Sequence, residues 1–95
     1  MNMAITKETI TDKIETVRVN NGSHYVIQIR EAIQILENGD IISQKFHRYV
    51  LHPDTDVSTI SDPVILAQFN AIMTDQIKAN YQNFLEAQNS ELGSE

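Results

Sequence analysis

Ninety-five residues without cysteine or tryptophan, 41% apolar and 6% aromatic, suit one domain with a modest core; they exclude a disulfide framework, a thiolate metal site and a cysteine nucleophile. The formal net charge of −6 is unevenly placed: residues 1–52 carry six basic and six acidic side chains, residues 53–95 one basic and seven acidic. The basic cluster Lys45, His47 and Arg48 is too small to displace counterions along a phosphate backbone, so nucleic acid is not an expected partner, and the acidic second half disfavours anionic membranes.

The start, "MNMAITKETITDK", has neither the basic end nor the apolar run of a leader. No later stretch approaches the ~20 apolar residues of a membrane span. The chain reads as soluble. Residues 5–17 fit two patterns: "KIETVRV" at 13–19 is rich in β-branched residues, whereas Ile10, Ile14 and Val17 also form a helical stripe. The sheet is expected from residue 10 to 51.

"NNGS" at 20–23 signals a first turn. A two-residue turn at Asn21-Gly22 sets Val17 and Val19 against the polar face of the next strand; a three-residue loop with Gly22 left-handed sets them against its apolar face and is preferred. On that next strand, 24–37, Tyr25, Ile27, Ile29, Ile33 and Ile35 share one face, and His24, Gln28, Arg30 and Gln34 share the other.

Asn38-Gly39 then supplies the two left-handed residues of a type I′ turn. Folding outward from that tip pairs Glu37 with Asp40, Ile35 with Ile42, Ile33 with Gln44, Glu31 with Phe46, Ile29 with Arg48 and Ile27 with Val50. A hairpin with about thirteen residues in each strand reaches roughly 40 Å if straight, so it either coils or lies against another chain.

"HPDTDVSTISD", 52–62, reads as a loop. Asp62-Pro63 is an N-cap followed by proline at the first helical position, and Ile65, Phe69, Ile72 and Met73 continue an amphipathic helix over 63–73. Thr74 offers a second N-cap, with Ile77, Tyr81, Phe84, Leu85 and Gln88 on one stripe of a helix over 75–88. One fused, bent helix is the alternative, and residues 89–95 are expected to fray. The whole is a single α+β domain over residues 1–95: a three-stranded antiparallel meander with a long hairpin, followed by two short amphipathic helices.

Chemistry-bearing patterns are weak. His47, His52, Asp54 and Asp56 lie within ten residues, yet the two histidines fall on opposite sides of a strand, and a metal hydrolase built on His47, His52 and Asp54 is a distant reading. "DTDVS" opens like a calcium loop but has Thr59 and Ile65 where glycine and a bidentate glutamate belong, so Asp54 and Asp56 read as turn formers. With no phosphate-binding glycine loop and no paired nucleophile and base, neither a cofactor nor an enzymatic activity is expected.

The informative oddity is apolar side chains on the nominally polar hairpin face: Val26, Leu36, Ile41, Tyr49 and Leu51. A solvated face seldom gathers several large apolar groups, so these mark either a contact surface or a face covered within the chain. Glu31 and Arg48, diagonal neighbours in the pairing above, complete the expected interface of Val26, Glu31, Ile41, Arg48, Tyr49 and Leu51, with the charged pair setting register against a neighbouring subunit.

Residues 4 to about 88 also carry an order of short motifs that resembles a set of small bacteriophage proteins encoded among virion and tail genes. The matching residues are Ile14, Asn38, Gly39, Phe46, His47, Arg48, Pro53, Asp54, Asp62, Pro63, Thr74, Lys78, Ala79 and Tyr81. The chain departs from that pattern at Tyr49, where a second histidine is usual, and at Asn80, where alanine is common. The resemblance implies a small structural or accessory protein of a phage particle, present in several symmetric copies; together with the two-sided apolar hairpin it leads to the expectation of a non-enzymatic virion protein of tail or baseplate, made in the bacterial host cytoplasm and assembled with other virion proteins and with copies of itself as a homo-oligomer. A different expectation is a phage-encoded module, absent from the particle, that binds a host protein through its acidic helices.

Overall fold

The structure, a computed structural model, describes residues 4–93. Three strands, β1 (Ile5–Val19), β2 (His24–Glu37) and β3 (Asp40–Leu51), form one antiparallel sheet in the order β1-β2-β3, followed by helices α1 (Pro63–Ile72) and α2 (Asp75–Gly93). This is the α+β meander that the turn signals predict. The chain forms two compact units, one of Met1–Glu15 with Gln28–Val50 and one of Thr16–Ile27 with Leu51–Glu95.

Both turns follow from backbone chemistry. Asn38 (φ 53°) and Gly39 (φ 88°) are both left-handed, as a type I′ connection requires. The first connection spans residues 20–23, and Asn21 (φ 57°) and Gly22 (φ 86°) are both left-handed like Asn38 and Gly39, the signature of a two-residue turn at Asn21-Gly22 rather than of the preferred three-residue loop. Asparagine tolerates that region because its short side chain bonds locally.

Two boundaries move. β1 starts at Ile5 rather than at residue 10, and 5–17 is strand, not helix. The Asn38 amide donates to the Ala4 carbonyl (2.9 Å) and the Ala4 amide to Asn38 Oδ1 (3.2 Å), so β1 pairs with β2 up to the hairpin tip. A long β2 with an open edge thus overrides the weak helical stripe. At the other end α2 runs to Gly93, beyond the expected residue 88, because no glycine or proline interrupts it before Gly93. Residues 94 and 95 of the expected tail lie outside the described residues.

The register of the hairpin departs from the one counted out from the turn. Gln34 Nε2 donates to Gln44 Oε1 (2.9 Å), and His47 Nδ1 lies 3.2 Å from Glu31 Oε1. Counting from Glu37 opposite Asp40 places Ile33 at Gln44 and Glu31 at Phe46, one residue away in each case. The two strands therefore fall out of step by one residue between the turn and Gln34–Gln44, the arrangement of a β-bulge, and beyond it every β3 side chain changes face relative to β2.

In the helical unit, Val26, Ile27, Leu51, Pro53, Ile65, Phe69, Met73 and Tyr81 are buried together with His24. Asp62 caps α1, its Oδ1 accepting from the amides of Val64 (2.8 Å) and Ile65 (3.4 Å), with Pro63 behind it. Met73 leaves helical geometry (φ −86°, ψ 69°) and Thr74 Oγ1 accepts from the Ile77 amide (3.3 Å), so the two helices are separate. Asp56 holds the loop by accepting from the Ser58 amide (2.9 Å) and hydroxyl (2.8 Å), the turn-forming role expected of it. Gln68 donates to Thr16 Oγ1 (2.8 Å), and Asn80 donates to the Ser23 carbonyl (2.7 Å). Asp62→Ala should lower unfolding free energy by about 1 kcal/mol, read from a urea midpoint, since it strands two first-turn amides.

Candidate assembly surface

The strand unit contains the distal parts of β1 and β2 and nearly all of β3. A three-stranded sheet with no helix in its own unit offers its side chains few partners, and the exposures show it: Ile5, Ile10, Ile41, Ile42, Phe46 and Val50 are all exposed, Ile5 and Ile42 by more than half. Only Val57 and Val64 join them among the exposed large apolar residues described elsewhere, so apolar exposure is concentrated on the strands. β2, the central strand, is shielded by its neighbours, and Ile29 and Ala32 are buried.

On one face the polar groups form a row. Arg30 grips Asp12 with both arms of its guanidinium (Nη2–Oδ2 2.8 Å, Nε–Oδ1 3.0 Å), and its carbon lies 4.4 Å from the centre of the Phe46 ring, with the Arg48 guanidinium 6.0 Å from the same ring. The bidentate bond holds the Asp12 carboxyl below its ordinary pKa and Arg30 above its own. Both groups are solvated, so the pair orients Arg30 over Phe46 more than it stabilises the fold.

On the other face His47 meets Glu31, and its ring lies 5.8 Å from that of Tyr49. An open hollow of about 280 Å³, bordered by Lys13, Glu15, Ile29, Arg48 and Tyr49 among others, is smaller than the ~300–1,000 Å³ of small-molecule pockets. Among the described residues no three histidine or carboxylate groups come together as a metal site. His47 is taken up by Glu31, while His52 stacks on Tyr81 with ring centres 5.9 Å apart.

The residues expected at the interface divide. Ile41 and Arg48 are exposed and Tyr49 and Glu31 half-buried, all in the strand unit. Val26 (6% exposed) and Leu51 (8%) belong to the core of the helical unit and offer no free surface. The expected Glu31–Arg48 pair is not formed: the one-residue offset turns Arg48 toward Phe46 and brings His47 to Glu31. The same offset sets Tyr49 on the face of Ile29 and Glu31, where its apolar character is ordinary, and turns Phe46 and Val50 to the other face. Phe46, Val50 and Ile42 are thus the exposed residues that counting from the turn hides.

Among the described residues no helix is long and apolar enough to cross a membrane. No family model, no curated protein and no solved structure matches the chain.

Proposed function

We propose that this chain is a non-enzymatic structural protein of a bacteriophage particle, of tail or baseplate, that assembles through its β-hairpin with other virion proteins and with copies of itself. The observation that supports it is the concentration of exposed large apolar side chains on the strand unit. Several large apolar side chains exposed on one unit favour a surface that is covered in use. The resemblance of the Asn38-Gly39, Phe46-His47-Arg48 and Asp62-Pro63 segments to small virion-associated proteins gives the assembly its setting. Particles purified from the bacterial cells that carry this sequence should contain the chain in several copies, as read by quantitative mass spectrometry; its absence from intact particles would overturn the proposal.

A host-directed binding module is favoured by a different observation: Asp54, Asp56, Asp75 and Glu86 are all exposed on the segment that holds the negative charge. Binding through them weakens steeply with salt, because exposed charges are screened within ~10 Å at 0.1 M.

A further inference from the structure

β3 is an edge strand, and from Asp40 to Arg48 every residue is exposed. Its outer row of amides and carbonyls is a template for another strand, and natural edges of such length are normally blunted by proline, by inward charges or by a covering loop. β3 has no proline, and among the described residues no other element is shown bonding its outer backbone between Asp40 and Arg48.

β1, the opposite edge, carries Lys7, Glu8, Asp12, Lys13 and Glu15. Its exposed apolar residues, Ile5 and Ile10, are five positions apart and so lie on opposite faces. On β3, Phe46 and Val50 share a face, and an exposed isoleucine stands at both 41 and 42, so one of the two joins that face wherever the one-residue offset arises.

The pattern about Phe46 reads nearly the same in both directions. We propose that two copies of this chain pair antiparallel along β3, with the two-fold axis at Phe46. This deepens the assembly reading above, on which it rests, by naming the partner and the register. Phe46 then faces its own copy and Gln44 lies opposite Arg48, while the exposed isoleucine that joins their face, at 41 or 42, comes beside Val50, so aromatic and aliphatic groups flank the polar pairs along one face.

On the other face Lys45 lies opposite His47, which has Glu31 beside it. Moving the axis to Lys45 or to Arg48 sets a cation directly against its copy, which is unfavourable. Moving it to Gln44 opposes Asp40 with Arg48 but sets Val50 against Asn38 of the turn, outside the ladder. Centred on Phe46, the regular stretch Gln44–Arg48 pairs with itself. The arrangement is isologous and closed, so it makes a dimer and not a fibre.

The absence of cysteine makes the test clean. Single substitutions Lys45→Cys, His47→Cys and Val50→Cys, each spin-labelled in the full chain, report distances between copies. The proposal requires equal separations at 45 and 47, with Cα atoms about 8 Å apart, and roughly 27 Å at 50. Phe46→Glu should weaken dimerisation at least roughly a hundredfold by opposing two carboxylates, while Phe46→Leu retains it; unchanged unfolding midpoints show that both variants fold.

A salt-resistant oligomer with unequal distances at 45 and 47, or one that persists in Phe46→Glu, would overturn this pairing and leave the assembly reading standing. A monomer at every concentration, for a chain that is nonetheless abundant in particles, would overturn self-pairing alone. A monomer absent from particles would overturn both.

Discussion

Phe69→Ala should cost about 3–5 kcal/mol of unfolding free energy, a large share of the ~5–15 kcal/mol that holds a domain of ordinary stability. Phe69 is 1% exposed and is among the largest fully buried side chains. It sits on α1, whose other buried residue, Ile65, lies one turn before it. The core it shares with Ile27, Leu51, Met73 and Tyr81 is small and contains no tryptophan, so little remains to close around the cavity. Urea unfolding followed by circular dichroism measures the loss. Phe69→Leu, which keeps most of the volume, should lose much less, and a loss below about 1 kcal/mol in the alanine variant would mean that the helical unit is not packed around this ring.

The second large effect is a loss of stability in mild acid through His24. Its ring is 3% exposed, lies 5.0 Å from each of the Tyr81 and Phe84 rings, and has Nδ1 2.8 Å from Ser23 Oγ. Burial lowers its pKa from the ordinary 6.5, and the neighbouring His52 lowers it further. A histidine whose folded pKa is depressed folds neutral. Its contribution is fully present above pH 6.5 and is lost as pH falls from there through the folded value. The unfolded chain takes up the proton more readily, so unfolding is drawn forward.

Unfolding free energy measured from pH 8 to pH 5 should therefore be level above about 7 and decline below 6.5, and His24→Phe should flatten that decline. The acids whose pKa values are depressed, Asp12 and Asp56, lose their contributions only below their ordinary 3.8 and fall outside this window. An unchanged slope in His24→Phe would assign the acid sensitivity to another group.

These two residues also mark what was legible in the sequence. Phe69 stood on an obvious helical stripe behind Asp62-Pro63, a start signal with a single physical meaning, and Asn38-Gly39 could form little else than a hairpin tip. Alternation places His24 on a polar strand face, because it does not reveal that α2, carrying Tyr81 and Phe84, packs on His24.

The surface was harder to read for a related reason. Period-two counting assumes an unbroken ladder, and nothing in "NGDIISQK" announces a bulge. The one-residue offset turned Phe46 and Val50 out and Tyr49 in, so the exposed set was partly inverted in advance. Ile41 and Arg48 were identified as surface residues, but the Glu31–Arg48 partnership was lost with the register. The long β1 escaped for a different reason: its strand character comes from pairing along β2 up to Ala4, a tertiary effect that local propensity does not carry.

The central claim is that the exposed apolar strands are an assembly surface. Its most direct test is the solution mass of the full chain by light scattering, at low and at high salt. An oligomer that is unchanged or strengthened by salt is the predicted result, because apolar burial does not weaken as charges are screened. A monodisperse monomer of 10.8 kDa at both salt concentrations, with no affinity for virion components, would contradict it.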